Sequence, residues 1–184
     1  MKVSHIEHLG IAVNSLEEAI PYWENVLGLK CYAIEEVADQ KVKTAFFMLG
    51  QTKIELLEPT SPESTIAKYI EKKGVGIHHM ALACENIEEQ LADAEAHGIS
   101  LIDKTPRKGA EGLTIAFLHP KSTQGILTEL CDCSPILSCY SLLREEVASH
   151  SDACNACAKP AFEVLFSRLH ATCNHKLTPW HRRL

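Results

Sequence analysis

Hydrophobic and polar positions alternate with a period of two over residues 6 to 13, where Leu9, Ile11 and Val13 fall on one side and Ile6, His8, Gly10 and Ala12 on the other. Successive side chains of a strand point to opposite faces, so this pattern predicts a strand with one bulky and one small face. Residues 77 to 84 repeat it, with Met80, Leu82 and Cys84 against Ile77, His79, Ala81 and Ala83. The bulky face of each strand needs a helix packed on it. Ser15 with Glu18, and Asn86 with Glu89, have the spacing of a capping box, and Gly28 and Gly98 stand where helices would stop. Pro21 lies beyond the opening turn of the first helix, where its missing N–H should remove a hydrogen bond and bend the helix. Three more strands are expected after each helix: Leu29 to Val37, Val42 to Leu49 and Lys53 to Glu58, then Ile99 to Ile102, Leu113 to Leu118 and Ile126 to Cys131. Each half reads βαβββ. Residues 59 to 75 form a polar connector with a helix from about Pro62 to Lys73, ended by Gly74.

The halves also match residue by residue. At an offset of 71, IEHLGIAVNSLEEA lies over IHHMALACENIEEQ, pairing Ile6 with Ile77, His8 with His79 and Ala12 with Ala83. Near the end of each half KIELL lies over LTELC, and Glu55 meets Glu129. The histidine and the glutamate are 47 residues apart in the first half and 50 in the second, a change that a loop absorbs. The predicted fold class is α+β: two βαβββ modules, at about 1–58 and 76–133, joined by the connector 59–75. Residues 134–184 form a Cys/His-containing C-terminal extension. It carries amphipathic stretches near Leu137 to Ala148 and Ala161 to Thr172. Cys154 and Cys157, with His170, Cys173 and His175, match no strong zinc template, so a loosely structured extension is the expectation there.

Charge and composition narrow the partners. A net charge of -6 over 184 residues, without Lys/Arg clusters, gives no footprint for nucleic acid or an anionic membrane surface. No 18-residue apolar stretch is present, and MKVSHIEHLGIAV, interrupted by His5, Glu7 and His8, lacks the apolar region of a secretory signal. A cytoplasmic protein with its eight cysteines reduced is the expectation.

The chemistry lies on the small faces. If the two modules enclose a common concavity, His8, Glu55, His79 and Glu129 converge there as a mixed N/O site for a divalent metal such as Co, Zn, Mn, Ni or Fe, with positions left for substrate or water. A lone strand histidine is ordinarily a hydrogen-bonded core or surface residue, and a lone strand glutamate is ordinarily solvated. Burying a carboxylate among leucines is costly unless it is paired, and the same pattern occurs twice, which favours the metal. Alternation sends His78 outward as a structural residue, while His5, His97 and His119 fit no constellation.

IEHLGIAV, then ELLEP with STIAKYIEKKGVGIHHMAL, then IAFLHPKST and GILTEL resemble the methylmalonyl-CoA epimerase family of the vicinal oxygen chelate (glyoxalase-like) superfamily, over residues about 4 to 132. The resemblance implies a cupped, barrel-like mixed sheet around one divalent ion, cobalt first with zinc, manganese and nickel as alternatives. It implies a homodimer and a CoA thioester substrate, whose (2R) and (2S) forms interconvert by proton abstraction and return at C2 through a metal-stabilised enolate. His8, His79 and Glu129 fall on the family's ligands, and Glu55 falls where some members have Gln. Where some members carry a second catalytic glutamate, this chain has Thr44, so Glu129 and Glu55 are the expected acid/base pair. Lys121 and Ser122 of HPKS are the expected substrate contacts. A glyoxalase I-like lactoylglutathione lyase uses the same His, Glu, His, Glu set, an extradiol dioxygenase would use His8, His79 and Glu129, and a non-catalytic ligand-binding protein of this fold would lack the full set.

Overall fold

The computed structural model describes residues 1–134. The expected helices at 137–148 and 161–172, and Cys154, Cys157, His170, Cys173 and His175, lie outside the described residues. Eight strands form one mixed sheet: β1 (Val3–Ala12), β2 (Cys31–Val37), β3 (Val42–Leu49), β4 (Thr52–Pro59), β5 (Gly76–Cys84), β6 (Arg107–Lys108), β7 (Thr114–Leu118) and β8 (Thr128–Asp132). Their order is β2-β3-β4-β1-β5-β8-β7-β6. β1 pairs parallel with β4, β5 pairs parallel with β8, and the two modules meet where β1 and β5 run antiparallel at the centre. The curled half-barrel sheet has the topology that two βαβββ modules produce.

Helices α1 (Leu16–Pro21) and α3 (Ile87–Ala96) cover one side of this sheet. Leu16 packs with Ala45, Phe47, Ile54 and Leu56 in the first module, and Ile87 and Leu91 pack with Ala116, Leu118 and Leu130 in the second. The period of two then decides where the polar residues go. Leu56 and Leu130 are fully buried under the helices, so their neighbours Glu55 and Glu129 must face the opposite, concave side. Helix α2 (Thr65–Lys73) starts at Ser64, whose hydroxyl accepts from the Ala67 amide at 2.9 Å, and ends at Gly74, whose φ of 80° only glycine adopts without strain. Among the described residues no helix is long and apolar enough to cross a membrane.

Three local expectations change. Pro21 does not simply bend its helix: the α-helix ends there and a π-helical turn, Tyr22–Val26, follows, with the Leu27 amide donating to the Tyr22 carbonyl at 3.2 Å. Widening the turn lets the chain continue past the missing N–H of Pro21. Ser15 caps α1 as expected, but Asn86 is left-handed at φ 52° and its amide donates to Glu89 Oε2 at 3.1 Å instead of accepting from the backbone. Ile99 to Ile102 is not a strand. Leu101 makes one bridge to Leu118, and then the amides of Ile102 and Asp103 both donate to the Phe117 carbonyl while the Phe117 amide donates to the Asp103 carboxylate at 2.9 Å, so the regular ladder stops there. The outer strand of the second module is instead the short β6, beginning just after Pro106.

Leu56 and Leu130 hold equivalent places in the two modules. Leu56→Ala and Leu130→Ala should each lower the unfolding free energy by about 2–5 kcal/mol. Urea unfolding measures it, and a loss under 1 kcal/mol for either would contradict the packing described.

Candidate functional site

The pairing of the central strands brings the four side chains together. In the β1–β4 register Gly10 lies opposite Glu55, in the β1–β5 register it lies opposite His79, and in the β5–β8 register Ala81 lies opposite Glu129. His8 Nε2 is 2.9 Å from His79 Nε2, 3.4 Å from Glu55 Oε2 and 3.7 Å from Glu129 Oε2. His79 Nε2 is 3.6 Å from Glu55 Oε2 and 3.1 Å from Glu129 Oε2. All four residues are buried. The small face is essential to this convergence. A Cβ added at Gly10 would clash with the Cε1, Nδ1 and Nε2 atoms of the His79 ring, so hydrogen at position 10 is what leaves room for the imidazole.

These spacings fit a metal. Donors about 2.1 Å from a common centre lie about 3.0 Å apart at a right angle and about 3.4 Å apart at the tetrahedral angle, and the five separations span 2.9 to 3.7 Å. Even without Glu55, His8, His79 and Glu129 form a compact potential ligand set; Glu7, His8 and Cys131 form another. Two imidazoles and two carboxylates suit a borderline divalent ion better than a hard, all-oxygen cation.

The charges around the site are strongly perturbed. Burial would lower the His8 imidazole, but hydrogen bonds to Glu129 and Glu7 and the charge of Glu55 outweigh it and raise it to about 10. Burial would also raise the Glu129 carboxyl, yet its hydrogen bonds to His79 and His8 hold it below the usual carboxylate range. Glu55 goes the other way: burial dominates and pushes it up. The cluster therefore contains one carboxylate stabilised as the anion and one biased toward the acid.

Behind the two imidazoles stand unlike partners. His8 Nδ1–H donates to Glu7 Oε2 at 2.5 Å, which leaves Nε2 turned to the cluster. His79 Nδ1 is 2.9 Å from His78 Nδ1. Burial, and then His79, lower His78 to about 4, so His78 is a neutral imidazole in that contact. His78 is thus not an outward structural residue. The register slips between Gly10 opposite His79 and Ile11 opposite Ile77, and this irregularity turns His78 to the cavity beside His79. Its ring is also edge-on to Tyr69 of α2, with centroids 4.9 Å apart.

A cavity of about 430 Å³ opens over the four side chains. Thr44, Phe46, Lys53, Arg107, Glu111 and Phe117 line it, along with Cys131, whose thiol burial pushes up and which donates to Glu129 Oε1 at 3.4 Å. Thr44, nearly fully buried, donates its hydroxyl to the Glu35 carbonyl at 3.4 Å, so β3 supplies no acid or base at that position. Lys121 is exposed on the turn Pro120–Ser122 and Ser122 shares that turn; neither lines the cavity. The Ser122 hydroxyl is committed, accepting from the Ser100 amide at 3.0 Å and donating to the His119 carbonyl at 3.1 Å.

Sequence reasoning missed Glu7, Lys53, Arg107 and Glu111. Lys53 was detectable, because it stands two residues before Glu55 on one strand and so shares its face. Glu7 stands beside His8 but on the other side by strict alternation, and β1 departs from that alternation through register shifts between Val3 and Ile6 and between Ile6 and His8. Arg107 and Glu111 lie on a short edge strand and a loop turn that carry no periodic signal.

Residues 7–117 match the family model of the Glyoxalase/Bleomycin resistance protein/Dioxygenase superfamily. The uncharacterized protein YqjC of Bacillus subtilis is 45% identical over 130 residues, covering 71% of this chain and 93% of that protein. The mitochondrial methylmalonyl-CoA epimerase of Dictyostelium discoideum is 36% identical over 129 residues, 70% of this chain and 78% of that one. Among solved structures, a Streptomyces coelicolor methylmalonyl-CoA epimerase variant in complex with 2-nitronate-propionyl-CoA superposes with a TM-score of 0.69 at 31% identity, covering 71% of this chain and 95% of the other.

Two outcomes follow from the geometry. Gly10→Val should displace His79 and weaken cobalt or zinc binding by about tenfold or more while the far-ultraviolet circular dichroism stays unchanged; unaltered affinity in a calorimetric titration would contradict the close approach. In the chain freed of metal, His8 holds its extra proton up to about pH 10, so a cation must displace that proton at any lower pH. Affinity should therefore rise with pH between 6 and 9, by up to about tenfold per unit; a pH-independent affinity would contradict the raised His8.

Proposed function

We propose that this chain, which belongs to the Glyoxalase/Bleomycin resistance protein/Dioxygenase superfamily and within it to the methylmalonyl-CoA epimerase family of isomerases, interconverts (2R)- and (2S)-methylmalonyl-CoA. The observation that carries the reading is the convergence of Glu55 and Glu129, one from each module, on the same pair of imidazoles. Inverting a carbon centre by moving a proton needs a group that takes the proton on one side and a group that returns it on the other. Two carboxyls whose surroundings push them in opposite directions, Glu129 toward the anion and Glu55 toward the acid, are matched to that division of labour. Glu129 takes the proton from C2 in one direction and Glu55 delivers one; the roles exchange in reverse.

His8, His79, Glu129 and Glu55 would hold one divalent cation, with cobalt first and zinc, manganese and nickel as alternatives. When bound, such a cation supplies positive charge opposite the oxygen on which negative charge develops as C2 loses its proton. The remaining wall is apolar where the acyl methyl must sit, with Phe46 and Phe117 lining it. Arg107 supplies a cation at the cavity wall. Its Nε is 3.4 Å from Asp103 Oδ2 and its guanidinium lies 5.4 Å from the Phe117 ring centroid, which leaves its terminal nitrogens for an anionic group of the substrate. Lys121, out on its exposed turn, is suited to the phosphate-bearing end of a CoA thioester, whereas Ser122 serves its turn. Residues 1–133 form the catalytic domain in this reading, and a homodimeric, cytoplasmic enzyme goes with it.

A second reading has one observation in its favour. Thr44 leaves β3 without a carboxylate, and the set His8, Glu55, His79, Glu129 is the one a glyoxalase I-like lyase requires. The same metal-loaded sample tests both: epimerisation, followed as deuterium entering C2 of methylmalonyl-CoA from heavy water, against turnover of a glutathione hemithioacetal. Faster hemithioacetal turnover would overturn the first reading. Glu129→Gln and Glu55→Gln should each lower epimerisation by about 10²- to 10⁴-fold, and a Glu55→Gln chain that binds metal and keeps the full rate would remove Glu55 from proton transfer.

A further inference from the structure

A buried chain of charges runs from the metal centre to the far wall of the cavity, and neither the ligand set nor the acid/base pair uses it. Glu7 Oε2 accepts from His8 Nδ1–H at 2.5 Å, and Glu7 Oε1 accepts from Lys53 Nζ at 2.6 Å. The same ammonium donates to Glu111 Oε2 at 2.5 Å. Glu7 is buried and the Lys53 side chain is only 12% exposed, so this is no surface pair that solvent would screen. Glu111 is fixed in turn by three contacts into the first module. Besides Lys53, the Tyr32 hydroxyl donates to its Oε1 at 3.1 Å, and its own backbone amide donates to Glu35 Oε2 at 3.1 Å. It sits left-handed, at φ 53°, in the turn Ala110–Gly112 that helps line the cavity.

The arrangement on the two imidazoles is unequal. His79 is backed by a neutral imidazole, His78, whereas His8 is backed by a carboxylate whose second oxygen is occupied by a buried cation. A carboxylate accepting from the outer nitrogen fixes the tautomer and the ring plane of a ligating histidine and strengthens its donor nitrogen. A free carboxylate in that place would be able to rotate away; Lys53 removes that freedom by holding the other oxygen. We infer that Glu7 is the positioning residue of the metal centre, orienting His8, and that Lys53 and Glu111 anchor it across the two modules. This rests on the reading that His8 ligates a divalent cation.

Cobalt(II) titrated into the metal-stripped full chain against a competing chelator tests it, with the visible absorption bands recorded beside the dissociation constant. Glu7→Gln should weaken cobalt binding by about 10- to 100-fold and shift the bands, and Glu111→Gln, which leaves Glu7 in place, should weaken it by less. Wild-type affinity and bands in a folded Glu7→Gln chain would overturn the inference, as would a lower melting temperature of the metal-free chain with cobalt binding unchanged, the mark of a merely structural residue. If Glu7→Gln does not fold, Lys53→Met takes its place: it should weaken cobalt binding and shift the bands, and unchanged binding overturns the inference equally. A wild type that binds cobalt as expected but does not epimerise would end the proposed function and leave this inference standing; a wild type that binds no cobalt would end both.

Discussion

Two histidines drawn from both modules lie 2.9 Å apart, and each has a glutamate oxygen from both modules within 3.7 Å of its inner nitrogen. Burying two carboxylates against two imidazoles is tolerable only if their charge is offset, and the rest of the described structure is arranged to meet that constraint. Gly10 gives up its side chain so that His79 fits. Leu56 and Leu130 anchor the strands whose next residues are the glutamates. The antiparallel seam of β1 and β5 puts both histidines at the centre of the sheet.

Duplication explains why the constraint can be met. A single βαβββ unit presents one imidazole and one carboxylate on a concave face, too few donors to hold a cation firmly. Two such units joined edge to edge through β1 and β5 double the set and leave a cavity above it. The copies have then diverged in their supporting groups. The first module backs its histidine with Glu7 and Lys53, and the second backs its own with His78. That difference gives the site a handedness which a proton transfer between mirror-related substrate faces can use.

Much of this was legible in the chain. The period-two patterns at 6–13 and 77–84 locate β1 and β5, and the offset repeat pairs His8 with His79 and Glu55 with Glu129. What was not legible has a common cause, departure from regular periodicity. His78 and Glu7 escape simple alternation because β1 and β5 pair with register shifts. The strand expected at Ile99 to Ile102 fails because two successive amides share one carbonyl, and the true edge strand is two residues long, too short to leave a pattern. Arg107 and Glu111 reach the cavity from that irregular stretch, so only three dimensions bring them to the site. Pro21 is visibly at odds with a regular helix, but the π-helical turn that accommodates it is a backbone choice that propensity alone does not specify.

The central claim is that imidazole and carboxylate donors from both modules bind one cation. X-ray absorption spectroscopy of the cobalt-loaded chain tests it most directly. The account predicts a first shell of nitrogen and oxygen at about 2.0–2.2 Å with the outer-shell scattering of two imidazole rings. A sulfur at about 2.3 Å, which would place Cys131 in the shell, or the scattering of fewer than two imidazoles, would contradict it.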